Sequence, residues 1–195
     1  MTDRDLIKLI LQGDKEKFRM LVEQYQQMVF RTCMGFLHDK DAADDLTQDI
    51  FIQAYQSLHS FKGEATFSTW IYRIAVNASL NRVRKNSGIP ILSRLDSLFG
   101  SGKEKEISLP VYENEDPESI LIRQEHNKWV QDGLDRLPEN QRTAIVLSKY
   151  DDLSQKEIAE IMNTTEGAVE ALIQRAKTNL RVNLSSSYKK IRKTP

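Results

Sequence analysis

Apolar residues in this chain recur at intervals of three and four and almost never alternate. That spacing gathers them on one face of a helix, whereas a strand would need a period of two. Phe18, Leu21, Val22, Tyr25, Val29 and Cys33 form one such face, predicted to begin at an Asp14 cap and to end at His38 and Asp39. Ala43, Leu46, Ile50 and Ala54 form another, from about Asp41 to Leu58, and a third long helix is predicted from Phe67 to Lys85. With no competing strand pattern, the expected class is all-α.

The helices fall into two groups. Between about Asn86 and Pro117 the texture changes: Gly88, Gly100 and Gly102 stand with Pro90, Pro110 and Pro117, and the apolar residues keep no sustained period. That composition reads as a linker or a loosely packed crossover, within which ILSRLDSLF could form a short helix or dock. Helices resume from Glu118 to Leu137, and Pro138 opens another that runs to Tyr150. The compact pair SQKEIAEIM and TEGAVEALIQRAKTNLRVNL follows. The expected organisation is therefore two small helical domains, 1–88 and 118–195, joined by a flexible linker over 89–117.

Composition narrows the function. One cysteine, Cys33, excludes an internal disulfide and a thiolate metal cluster, and reads as a small buried hydrophobe. His38, His59 and His126 lack ligand spacing, and no HExxH, GxSxG or phosphate-loop pattern occurs, so no metal, cofactor or enzymatic chemistry is expected. No apolar run is long enough to span a bilayer, and charges occupy every turn of the first residues. No membrane insertion and a cytoplasmic location are the expectation. Formal net charge is zero, but it is segregated. Residues 61–85 hold five cations against Glu64, residues 171–195 hold seven against no acid, and the acids collect in Asp39 to Asp49, Glu113 to Glu118 and Asp132 to Glu170. Such a chain is suited to meeting a polyanion in two places.

The helix from Phe67 to Lys85 carries an unusual stripe. Trp70, Arg73, Asn77, Asn81 and Arg84 share one face, while most of the remainder is apolar. Phosphate binding needs only cations. An indole that can stack on a base, amides that can read a base edge and interleaved guanidiniums suit single-stranded or opening DNA. The plainer alternative puts Trp70 and Tyr72 in a core and leaves the amides solvated.

Near the carboxy end the spacing fits a helix-turn-helix. Ser154 and Glu157 form a capping-box pattern, Ala159 supplies a small residue for a close crossing, Asn163 tolerates a left-handed turn and Thr165 can cap the second helix. Val169, Leu172 and Ile173 give that helix a core side. Glu166, Glu170, Gln174, Arg175 and Lys177 lie outside, a size and polarity suited to the major groove. A helical hairpin that touches no nucleic acid is the alternative.

DLTQDIFIQAYQSLHSFKGEATFSTWIYRIAVNASLNRVRK resembles region 2 of the sigma-70 family of bacterial RNA polymerase sigma factors, specifically the extracytoplasmic-function (ECF) group. LDRLPENQRTAIVLSKYDDLSQKEIAEIMNTTEGAVEALIQRAKTNL resembles region 4 of that group. The resemblance covers nearly all of the chain outside the linker, in the family's order. It implies a factor that binds core polymerase, recognises a bipartite promoter and melts it. Phe61, Lys62, Gly63, Phe67, Trp70, Tyr72, Arg73, Asn77, Asn81, Arg84 and Lys85 are then the candidates for capturing the -10 strand with a flipped base. Thr165, Glu166, Glu170, Ala171, Gln174, Arg175 and Lys177 are the candidates at the -35 element. Glu170 departs from a position that is commonly basic or small in the family, so it either selects cytosine or points away.

The acidic helix DAADDLTQDIFIQAY resembles the family's polymerase-binding surface, with Asp45, Gln48, Asp49, Phe51 and Gln56 as candidates. The resemblance implies the β′ clamp and β flap as partners, and an anti-sigma factor as regulator. Asp41, Asp44 and Asp45 also suit the positive end of a helix dipole, which does not explain Asp49. A carboxylate-bridged metal site is a third reading, lacking the Glu-x-x-His pairs such bundles use. The rival function is a transcriptional regulator with the same helix-turn-helix and an N-terminal dimerisation or sensor domain, which would not need the Trp70 to Arg84 stripe.

Overall fold

Short polar side chains set where the helices begin. In the computed structural model, which describes residues 1–87 and 128–191, Thr2 and Asp5 form a reciprocal capping box that starts α1 (Asp3–Leu11). This helix was not among those marked out by spacing. α2 (Phe18–Leu37) follows a single 3₁₀ turn, Lys15–Lys17. The expectation of an Asp14 cap is corrected: Asp14 precedes that turn and its side chain accepts no capping hydrogen bond. His38 ends α2 in a left-handed conformation, φ 55°. Asp39 then caps α3 (Lys40–Ser57) by accepting from Ala42 N–H at 2.9 Å. Thr66 Oγ1 accepts from Thr69 N–H at 3.1 Å and starts α4 (Phe67–Ser87).

In the second half α5 occupies residues 128–135 of the described part. Pro138 stands at the N-cap of α6 (Glu139–Lys149), one residue ahead of the first turn. α7 (Gln155–Met162) and α8 (Glu166–Ile191) complete the chain. No strand occurs among the described residues, and the all-α class stands. The expected linker and ILSRLDSLF lie outside the described residues, as does the first half of the Glu118 to Leu137 helix.

Two hydrophobic clusters organise these helices. The first is built wholly from the first half, with Leu21, Val29, Ile50, Leu58, Phe67 and Ile71 each 1% exposed or less. Burying each such side chain contributes about 1.5–3 kcal/mol. Cys33 is fully buried there, as a small apolar residue. The second cluster centres on Val146, Leu147, Ile158 and Val169, but it also takes in Phe36, Tyr72 and Val76 from the first half. The two helical domains are thus packed against each other.

Gly35 permits that contact. A Cβ built there would stand 2.6 Å from Val146 Cγ1 and 3.2 Å from Tyr150 Cγ, so only a bare backbone lets α2 and α6 come this close. Polar groups close the same interface. Arg142, 3% exposed, donates both to the Phe36 carbonyl on α2 and to the Asp135 carboxylate. Asp151 accepts from Thr32 Oγ1 at 2.8 Å. Burial pushes its carboxyl up to about 6, against the opposing effects of Thr32 and Arg31.

Candidate nucleic-acid interface

The face of α4 follows from its sequence register. Phe67, Ile71 and Ala75 turn into the first core and fix the helix, which leaves the opposite side for Asn77, Asn81, Arg84 and Lys85, all exposed or partly exposed. Trp70 is half-buried at the end of this stripe. Its ring centroid lies 5.4 Å from that of Phe61 and 5.5 Å from that of Phe67. The approach loop reaches Phe61 in an extended conformation and turns at Gly63, φ +72°, where a side chain would be strained. Lys62 is exposed beside it. Aromatic edges and cations therefore converge where the loop meets α4.

Two of the eleven residues assigned to this surface are corrected. Phe67 is 1% exposed because it fills the core between Tyr25 and Phe61, so it supports the aromatic group from behind. Tyr72 is 4% exposed because its side of α4 is covered by the second domain, and desolvation raises its phenol well above the usual range. The cations of the stripe are also engaged. Arg73 donates from Nη2 to the Glu160 carbonyl at 2.7 Å and from Nε to the Ile161 carbonyl at 3.3 Å. Those carbonyls close the carboxy end of α7, where a helix leaves acceptors without helical partners. Arg84 pairs with the Glu139 carboxylate through two hydrogen bonds and with Asn81 Oδ1 at 3.0 Å. The Glu139 hydrogen bond raises the Arg84 guanidinium further, and Arg84 in turn holds Glu139 below the usual carboxylate range.

On α3 the side chains of Asp45, Gln48, Asp49 and Gln56 belong to the polar side of the helix. Phe51 does not. It is 6% exposed and its ring meets Phe18 at 6.5 Å, because it continues the inner side set by Ile50 and Ala54. Two residues that spacing alone did not single out occupy the outer side instead: Ile52, 57% exposed, and Tyr55, 37% exposed. The signal was present, since Ile52 lies three residues after Asp49 and seven after Asp45.

In the second domain, Ser154 and Glu157 form the expected capping box, and the Ser154 hydroxyl and N–H hold the Glu157 carboxyl below its ordinary value. Asn163 makes the turn in the left-handed region, φ 52°. Thr165 Oγ1 accepts from Ala168 N–H at 3.2 Å and opens α8. Ile158, Ala159, Val169 and Ile173 pack the two helices together. Thr165, Glu166, Glu170, Gln174, Arg175 and Lys177 are exposed, and Ala171 is half-buried. The first turn of α8 lines a cleft of about 1030 Å³ whose other wall holds Glu64, Thr66 and Arg73 of the first domain. Among the described residues no group of three or more acidic, histidine or cysteine side chains could hold a metal ion.

Residues 21–89 match the family model described as Sigma-70 region 2, and residues 127–180 match Sigma-70, region 4. The ECF RNA polymerase sigma-E factor of Haemophilus influenzae is 35% identical over 177 residues, covering 91% of this chain and 92% of that one. The chain belongs to the ECF group of sigma-70 family RNA polymerase sigma factors. Its α2 to α4 make up the region 2 unit and α6 to α8 the core of region 4. The fold of this sigma factor is shared with CnrH, solved in complex with the cytosolic domain of CnrY: the TM-score is 0.62 at 22% identity, over 94% of this chain and 97% of that one. It is shared also with the sigma factor RpoE of Bartonella quintana, solved in complex with the anti-sigma factor NepR, at a TM-score of 0.58 and 20% identity, over 87% and 98%. As a sigma factor, the chain binds core RNA polymerase and directs promoter-specific transcription initiation. The regulator with a sensor domain is not favoured. No helix among the described residues is long and apolar enough to cross a membrane.

Proposed function

We propose that this sigma factor captures the melted -10 strand with Phe61, Lys62, Gly63, Trp70, Arg73, Asn77, Asn81, Arg84 and Lys85, and that it contributes no chemistry of its own. The observation that carries this reading is the amide and cation stripe of α4 ending at the Phe61 and Trp70 rings. Unstacking a base costs a few kcal/mol, which stacking on an aromatic ring and phosphate neutralisation offset. Thr165, Glu166, Glu170, Gln174, Arg175 and Lys177 of α8 read the -35 element, and Asp45, Gln48, Asp49, Ile52, Tyr55 and Gln56 of α3 grip the polymerase clamp. The factor acts in the cytoplasm. An anti-sigma factor holds it inactive by covering both the α3 face and the basic α8 face; that such a partner exists is supported by RpoE, which shares this fold and was solved with the anti-sigma factor NepR.

The test mixes the protein with bacterial core RNA polymerase and a pool of randomised promoters. Defined start sites sharing two spaced elements are expected. Trp70→Ala should then weaken open-complex formation far more than core binding, and Asp49→Lys should do the reverse. Equal loss of both activities in both folded variants would break the assignment of roles.

A further inference from the structure

The loop from Phe61 to Phe67 has two open sides. On one it faces the second domain across the wide cleft, whose walls mix the acids Asp3, Glu64, Glu160 and Glu166 with the cations Arg4, Arg73 and Lys156. On the other, an adjoining groove of about 490 Å³, which shares Arg4, Ile7, Phe61 and Gly63 with that cleft, lies between the loop and α1. Arg4, Lys8 and Lys62 surround it, Phe61 and Ile7 line it, and no carboxylate does. No residue of the second domain lines it, so packing of the two domains leaves it open.

The groove is held in shape. Arg4 Nη2 donates to the Gly63 carbonyl at 3.2 Å and ties α1 to the loop at its left-handed turn. Of the acids on α1, Asp5 accepts from the Thr2 hydroxyl at 2.8 Å and from its N–H at 2.9 Å while also feeling the charge of Lys8, and Asp3 accepts from Tyr25 Oη. None of the three cations forms an ion pair among the described residues. Three cations beside a partly exposed phenyl ring suit a strand that presents phosphates and an unpaired base. The groove also continues from the loop that reaches α4.

We infer that this groove is a second contact for single-stranded DNA, in which Arg4, Lys8 and Lys62 neutralise phosphates flanking the captured base. The inference rests on the proposed role of the loop and α4 in holding the melted strand. It extends the strand's path onto a helix that lies outside the matched region 2 segment, which begins at residue 21.

The test uses the full chain alone, because the groove stays open in it, with a fluorescein-labelled pool of randomised 12-nucleotide single strands. Affinity is followed against salt concentration. For single strands the slope of log K against log salt changes by about 0.7 per phosphate contact. Lys8→Gln and Lys62→Gln should each lower the slope by about that amount, and the double variant by about twice as much. Lys40→Gln, the same charge change on α3, should leave it unaltered. Unchanged slopes in folded Lys8 and Lys62 variants would overturn the inference, as would equal binding of poly-glutamate, which has charge but no bases. A wild-type chain that ignores single strands yet initiates with core polymerase would overturn the groove alone. Failure in both assays would remove the -10 reading with it.

Discussion

The two hydrophobic clusters are similar in composition and different in ownership. The first closes using only residues between Leu6 and Ala75, whereas the second borrows Phe36, Tyr72 and Val76 from the other half of the chain. A core of one's own makes a folding unit. A shared core makes a joint, whose strength depends on a few close contacts and buried charges.

The sharpest way to separate the two is to damage each. Phe67→Ala removes a ring 1% exposed from the first cluster and should cost about 3–5 kcal/mol, read as a lower denaturant midpoint for the first domain. The second domain's transition should move less, and equal shifts in both would show a single cooperative unit. Gly35→Leu should come next. Its side chain meets Val146 and Tyr150, so the domains separate while α2, relieved of an interior glycine that costs about 1 kcal/mol relative to alanine, keeps its helicity. A rise in the radius of gyration with unchanged helical circular dichroism is the expected result.

A smaller effect follows from Asp151. Its carboxyl is raised to about 6 in the packed arrangement, from an ordinary value of 3.8, so the charged form is the disfavoured one. The domain contact should therefore tighten as pH falls toward 5 and loosen as it rises through about 6, since every tenfold gain in proton affinity on packing corresponds to about 1.4 kcal/mol. The titratable groups around it, Arg31, Cys33, Tyr72 and Asp152, include one cation, which lies 3.6 Å away. Asp151→Asn should flatten the pH dependence of the distance between fluorophores placed on α3 and α8. The smallest effect belongs to Arg84→Ala. Its pair with Glu139 is half-exposed, so its loss should be detectable only at low salt and should disappear as ionic strength rises.

Much of this was legible in the residues. The capping box at Ser154, the left-handed turn at Asn163 and the register of α4 are local facts, decided within four residues of each other, and spacing finds them. Phe51 and Phe67 enter as contacts only through the family resemblance, while their register against Ile50, Ala54 and Ile71 assigns them to the core. The joint was not legible at all. Arg142 sits at the head of a run of apolar residues, Asp151 in a turn, and Gly35 inside a helix, and each meets a partner more than a hundred positions away. α1 was missed for a different reason: its cap, Thr2, sits one residue after the start of the chain, where periodicity has little room to accumulate.

The guanidinium of Arg73 has a consequence for how the two DNA-reading halves depend on each other. It donates to the Glu160 and Ile161 carbonyls, and the same donors cannot at once serve a phosphate. Under the proposed role of Arg73, a strand that takes its guanidinium uncaps the end of α7 and weakens the joint, and parting the domains frees Arg73 for the strand. Thermodynamic reciprocity makes these one coupling free energy seen from two ends. On that proposal, a ligand that opens the joint would sharpen the factor's hold on melted DNA, and melted DNA would pull the joint open by the same factor.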